Sequence, residues 1–179
     1  MKLGTFSGPD GRRLFLKLGE MALDLRAVED RPEFRDTIAF IAAGDAALDA
    51  ARVAAEARPD RAMHELGDLV LAAPILPTTV LCSGSNYRSH NEEKAASPLS
   101  GREPEFFLKT SDCVIGPEEG IIHDRRMSQK IDCETELAIV IGRPGRHIPK
   151  SEALNHVFGY TVANDVTAPY CGETDMPAF

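Results

Sequence analysis

The chain has no C-x-x-C pair: its four cysteines, Cys82, Cys113, Cys133 and Cys171, are scattered along it. Such spacing suggests neither a thiolate zinc site nor a disulfide framework, and it fits a reducing compartment. Long apolar runs are missing as well. No stretch approaches the roughly 20 residues of a membrane span, and the opening Met-Lys-Leu-Gly runs into polar turn residues without the apolar core of a signal peptide. The expectation is a cytoplasmic chain that is neither exported nor anchored. Clustered Lys and Arg are also lacking. With 20 basic residues against 28 acidic ones, the formal net charge is -8 and the pI about 5.1. A nucleic-acid partner requires basic clusters that release counterions, so this balance points to a small-molecule partner. Internal repeats and low-complexity tracts are absent from the sequence.

What is present describes an ordinary globular protein. The 179 residues are 43% hydrophobic and 27% charged, enough for one domain or two small ones. Residues 2–25 read as short strands punctuated by Ser7-Gly8-Pro9-Asp10-Gly11 and Gly19-Glu20, a small β-meander. From Pro32 to Ala57 the sequence turns Ala-rich and helix-favouring; Ile38, Ile41, Leu48, Val53 and Ala54 can share apolar faces, and Gly44-Asp45 can end one helix and cap the next. Pro74-Ile75-Leu76-Pro77 favours an extended connection, which places a domain boundary there: a small α/β domain over 1–73, then a second domain over 78–179. In the second domain, apolar runs at Glu105–Leu108, Leu137–Ile141 and Tyr160–Ala163 predict sheet, and Ser151–Val157 one short helix capped by Ser151. The fold class expected is α+β, rich in β.

Two constellations carry chemistry. In Asp132-Cys133-Glu134-Thr135-Glu136, leading into Leu137–Gly142, strand alternation points Glu134 and Glu136 to one face, with Asp132 able to join them. Adjacent carboxylates repel unless water or a cation lies between them. By itself the alternation also fits the solvated face of an antiparallel sheet. Asp165, ending Tyr160-Thr161-Val162-Ala163-Asn164, is placed where a strand delivers a side chain to the sheet's rim, although Asn-Asp is equally a turn-forming pair. If the two strands meet, Glu134, Glu136 and Asp165 form an all-oxygen set suited to Mg²⁺ or Mn²⁺, with Ca²⁺ also admissible, rather than zinc. In the second constellation, Gly84 to Glu93, a helix beginning near Asn86 would bring His90 and Glu93 to one face at i, i+3 spacing. A carboxylate beside an imidazole raises its basicity, and either group can take a proton from water; a solvated polar helix is the alternative. Lys109, closing Phe106-Phe107-Leu108, can neutralise a substrate carboxylate or simply be solvated at a strand edge. His64, His123, His147 and His156 lack metal-ligand spacing and read as surface or structural residues, and Glu118-Glu119 and Asp124-Arg125-Arg126 as solvated loops.

Together, Gly84-x-Asn86-Tyr87-x-x-His90-x-x-Glu93, Phe107-Leu108-Lys109, Asp132-x-Glu134-x-Glu136-Leu137-x-x-Val140-Ile141-Gly142 and Gly159-Tyr160-Thr161-x-x-Asn164-Asp165-Val166-Thr167-Ala168 resemble the fumarylacetoacetate hydrolase family in order and spacing. The resemblance implies a mixed β-sheet catalytic fold and a divalent metal at Glu134, Glu136 and Asp165. It further implies a His90–Glu93 pair for water activation or proton transfer, Tyr87 and Lys109 on the substrate, a small oxo-acid as that substrate, and a homodimer. Family members include acylpyruvate hydrolases and oxaloacetate decarboxylases; others hydrate, isomerise or cleave intermediates of aromatic catabolism.

One departure stands out. The family pattern continues after Thr-Ala with Arg-Asp, whereas Pro169-Tyr170 follows Ala168 here and the sequence ends at Phe179. The expectation is therefore a shortened catalytic domain whose residues 169–179 form an aberrant tail, with weak stability or obligate association and little activity alone. The rival reading is a noncatalytic remnant that binds a cation or a partner subunit.

Overall fold

The computed structural model of the chain describes residues 1–84, 86–93, 105–126 and 128–168, with backbone only at 90, 91 and 93. The chain divides into two compact units, Met1–Glu118 and Glu119–Phe179. The tail at 169–179, expected to be aberrant, lies outside the described residues.

In the first unit, β1 (Leu3–Gly8), β2 (Gly11–Leu18) and β3 (Met21–Asp24) pair antiparallel as the expected meander. Its turns use glycine where the backbone must go left-handed, at Gly11 (φ 106) and Gly19 (φ 65). Three helices follow: α1 (Leu25–Val28), α2 (Thr37–Ala43) and α3 (Asp45–Ala57). Short edge strands β4 (Met63–Glu65) and β5 (Leu71–Ala72) complete a sheet of order β4-β3-β2-β1-β5. One face of the sheet buries Phe6, Phe15 and Ala22 under Leu66, Leu69 and Leu71. The cross-strand partners Thr5 with Leu14 and Leu16 with Leu23 mark the opposite face, and all four are buried. The meander is thus covered on both sides at its centre.

Helices α2 and α3 form as expected, but their buried sides differ. Phe40, Ala47, Ala51 and Ala54 are inside, whereas Ile38 and Val53 are exposed. The i, i+4, i+7 spacing of the three alanines gives α3 a narrow, close-packing stripe, and size rather than hydrophobicity decides which side faces in. Gly44 (φ 58) ends α2 and also starts α3, with Asp45 already in the first turn. The prolines at 74 and 77 lie in an extended connection, tied down where Thr37 Oγ1 donates to the Pro74 carbonyl at 2.5 Å. Beyond it β6 (Thr79–Gly84) pairs antiparallel with β7 (Glu105–Thr110), and α4 (Arg88–Glu93) lies between them in sequence. No helix among the described residues is long and apolar enough to cross a membrane.

The second unit is organised by β8 (Thr135–Ile141) and β9 (Val157–Asn164), which pair antiparallel from Thr135↔Asn164 to Val140↔Gly159, with a register shift between Val140 and Ile141. The helix expected at Ser151–Val157 is a 3-10 helix, Lys150–His156, preceded by Pro149 and without a side-chain cap. Proline pre-sets the entry, so the serine's capping propensity is not used. The chain is α+β and β-rich, built of antiparallel sheets.

Two residues test these assignments. Asp36 caps α2 by accepting the Ala39 N–H at 2.7 Å and also pairs with Arg35 at 2.9 Å. Burial pushes its carboxyl up, but the amide bonds and the guanidinium outweigh that and hold it below its ordinary 3.8. Because the folded value is depressed, the stabilisation is full above the ordinary value and disappears as pH falls through the folded one. Asp36→Ala should cost about 1 kcal/mol at neutral pH by urea unfolding, Asp36→Ser much less, with the gap between Asp36 and Ala closing in acid. In the second unit, a Cβ on Gly142 would lie 2.9 Å from Phe158 Cβ and 3.2 Å from its backbone. Gly142→Ala should destabilise by roughly 1–3 kcal/mol, read as a lowered melting temperature.

Candidate metal and catalytic site

The β8–β9 ladder decides where the acidic residues meet. Thr135 faces Asn164 and Glu136 faces Ala163, so continuing the same register sets Glu134 opposite Asp165. The backbone agrees: Asp165 N–H donates to the Glu134 carbonyl at 2.8 Å. One step further, Asp132 and Thr167 exchange two bonds, 2.9 and 3.1 Å, as an isolated bridge. Directly opposed residues share a face, and residues two apart on a strand do too. Glu134, Glu136 and Asp165 therefore lie on one side of the ribbon. Diagonal neighbours on such a face stand about 7–8 Å apart, within reach of long side chains.

Burial distinguishes this side from a solvated sheet face. Glu134, Glu136, Ala138 and Val140 are half-buried, while the alternate residues Leu137, Ile139 and Ile141 are exposed. Polar-out alternation would give the reverse. Asp165 is half-buried and its Oδ1 atom is buried; Asp132 is exposed. Among the described residues, no group of three or more His, Cys, Asp or Glu side chains is gathered tightly enough to hold an ion. The backbone brings the carboxylates to one face, and side-chain rotation is left to converge them. As a donor set, three carboxylates on adjacent strands fit a hard, oxygen-seeking cation.

A residue that the sequence reading left aside stands between them. Glu134 N–H donates to Asn164 Oδ1 at 3.0 Å, a side chain reaching across the ribbon to a backbone amide. Asparagine's habit of bonding nearby backbone was the available signal, but in Asn164-Asp165 it pointed to a turn.

The other expected site residues belong to the first unit. His90 and Glu93 lie on the six-residue α4, which begins at Arg88 rather than at Asn86. The three-residue spacing on a helix puts both Cβ atoms on one side; their side chains lie outside the described residues. Tyr87, just before α4, is 44% exposed and so open to a ligand. Lys109 is half-buried on β7 opposite Val80.

Three of the four histidines set aside from the metal are occupied structurally. His64 packs its ring against Phe6 at 5.7 Å. His123 Nε2 lies 2.7 Å from the Ser128 carbonyl, and His156 Nδ1 lies 3.0 Å from that of Arg143. Arg126 clasps Asp124 with both ends of its guanidinium, at 3.0 and 2.6 Å, which holds the Asp124 carboxyl below its ordinary range. Cys82, Cys113 and Cys133 form no disulfide among the described residues; Cys171 lies outside them.

The family model for the fumarylacetoacetate (FAA) hydrolase C-terminal region matches residues 79–178. The mitochondrial oxaloacetate tautomerase FAHD2A of Bos taurus is 35% identical over 174 residues, covering 94% of this chain and 53% of that protein. A fumarylacetoacetate hydrolase domain-containing protein 2 homolog of Dictyostelium discoideum is 42% identical over 99 residues, 55% of this chain and 31% of that protein. Among solved structures, the fumarylacetoacetate hydrolase of psychrophilic Exiguobacterium antarcticum superposes with a TM-score of 0.70 at 28% identity, covering 94% of this chain and 56% of that one. The maleylpyruvate hydrolase of Sphingobium sp. SYK-6, in complex with manganese (II) ion and pyruvate, shares the fold with a TM-score of 0.73 at 24% identity, covering 94% and 60%. The chain spans between 31% and 60% of the length of these relatives. With that family model matched over more than half of its sequence, the chain belongs to the fumarylacetoacetate hydrolase family.

Proposed function

We propose that the protein is a divalent-metal-dependent enzyme acting on a small oxo-acid, an acylpyruvate or oxaloacetate, by hydrolysis, decarboxylation or the tautomerisation named for its relatives. The observation that supports this most is the ladder that opposes Glu134 to Asp165 and keeps Glu136 on the same half-buried face. Those three carboxylates would hold the ion, Mg²⁺ or Mn²⁺ before Ca²⁺. When bound, such an ion supplies Lewis acidity where negative charge develops on oxygen as a bond beside a carbonyl breaks.

The chain's own residues do the rest. Lys109 and Tyr87 bind the substrate's carboxylate and oxygen atoms, the lysine through charge and the tyrosine through its hydroxyl. His90, paired with Glu93, takes a proton from water in the hydrolytic reaction and delivers it to the departing carbon, or takes one from carbon in a tautomerisation and delivers it to the oxygen that becomes the enol hydroxyl. Half-burial of the carboxylate face limits competing water and strengthens every charge interaction made there.

The test is a Mn²⁺ titration by calorimetry on the full chain, followed by turnover of oxaloacetate and of an acylpyruvate. Glu136→Gln should weaken Mn²⁺ binding roughly 10-fold or more, in the range found when groups supporting a metal are removed; unchanged affinity strikes Glu136 from the site. His90→Ala should lower kcat about 10²–10⁴-fold while leaving Mn²⁺ affinity in place. Metal binding with no turnover of any oxo-acid would reduce the proposal to a cation-binding module.

A further inference from the structure

Besides the register shift at Val140 and Ile141, the ladder is interrupted at its other end, and that place carries two of the three carboxylates. Between its last regular pair, Thr135↔Asn164, and the isolated bridge Asp132↔Thr167, Glu134 and Asp165 both lie outside strand geometry. Pairs that exchange hydrogen bonds alternate with pairs that do not along an antiparallel ladder. Asp132 and Thr167 exchange two bonds, so the next exchanging pair is Glu134 with Asp165. Half of that pair is present, Asp165 N–H to the Glu134 carbonyl at 2.8 Å. In the other half, the Glu134 N–H goes to Asn164 Oδ1 at 3.0 Å, where the Asp165 carbonyl would stand in a regular ladder.

We infer that Asn164 is a positioning residue: its side-chain amide takes the Asp165 carbonyl's place in the ladder and so sets how Glu134 and Asp165 face each other. The inference rests on the proposed carboxylate site and deepens it. A backbone amide can only donate, so the contact fixes which atom of the Asn164 amide faces Glu134. The substitution keeps the Glu134 N–H satisfied while letting the Asp165 peptide depart from the pleat, and the bridge at Asp132 and Thr167 continues the same register beyond it. Strand alternation assigns the Asp165 side chain its face, and the interruption sets its aim within that face. Removing the Asn164 acceptor allows the regular bond to Asp165 to form, which costs little stability but turns the Asp165 peptide back towards the pleat.

The consequence separates positioning from support of the fold. Asn164→Ala, and Asn164→Leu as a near-isosteric variant lacking the acceptor, should weaken Mn²⁺ binding by about 10–100-fold, the range for groups that orient metal ligands. The melting temperature of the metal-free protein should stay close to that of the unaltered chain. Asn164→Asp keeps an acceptor oxygen in place and should bind Mn²⁺ at least as tightly as the unaltered protein. Metal-free amide exchange by NMR should show the Glu134 N–H protected in the Asn164→Asp variant. Lower melting temperatures with unchanged Mn²⁺ affinity in the Ala and Leu variants would overturn the inference, as would equal loss of affinity in the Asp variant. Glu136→Gln is the control: if it weakens binding while Asn164→Ala does not, the positioning role fails and the carboxylate site stands. If the unaltered chain takes up no Mn²⁺, both fail together.

Discussion

Antiparallel hydrogen bonding between β8 and β9 is the constraint on which the candidate site depends. Side chains alternate with a period of two, so a slip of one residue would send Asp165 to the side opposite Glu134 and Glu136. The register is held from both ends, by the regular pairs that follow Thr135 and by the two hydrogen bonds that Asp132 and Thr167 exchange. The carboxylates owe their common face to this pairing. Their placement is a property of the backbone, and the chemistry proposed for them inherits its geometry from a two-stranded ribbon.

The ribbon also reverses the ordinary division of a sheet. Its charged side is half-buried and its aliphatic alternates, together with Tyr160 and Val162, are exposed. A carboxylate in partial burial is unfavourable unless something of opposite charge or a hydrogen-bond donor stabilises it. That arrangement separates Glu134 and Glu136 from a run of surface acids, because a solvated face would have put the glutamates outward and the aliphatic residues in. The first unit shows the more usual solution at Asp24, where Arg13 approaches to 2.7 Å and the Ala27 amide caps the remaining oxygen, so the buried acid is satisfied inside the unit.

Much of this was legible in the residues, for physical reasons that differ between elements. The meander could be read because Gly11 and Gly19 mark its turns, and glycine alone enters those conformations freely. The strands of the ribbon could be read from runs of branched aliphatics between polar breaks, and the common face of Glu134 and Glu136 from alternation alone. Asp165 was placed correctly at a strand's end, yet its partner across the ribbon was a matter of tertiary pairing, to which the order of motifs in the family gave the clue. Hydrophobicity misjudged α3, because close packing selected the small Ala47, Ala51 and Ala54 and left the larger Val53 outside. The short helix expected at Ser151–Val157 is there as the 3-10 helix Lys150–His156, but Pro149 and not a Ser151 cap supplies its entry. Asn164 was read as turn material, since reaching across a strand pair and making a turn call on the same short amide.

Gly44 serves α2 and α3 at once, as the last residue of one and the threshold of the other. A junction of this kind has no slack: a single inserted residue would rotate everything after it by about 100° around the helix axis, given roughly 3.6 residues per turn. The alanine stripe of α3 would then swing towards solvent, and Ala46, Ala50 and Val53 would take its buried places. Evolutionary drift in chain length at this corner should accordingly be far rarer than at the exposed hairpin between Gly8 and Gly11, where an added residue disturbs only the turn that carries it.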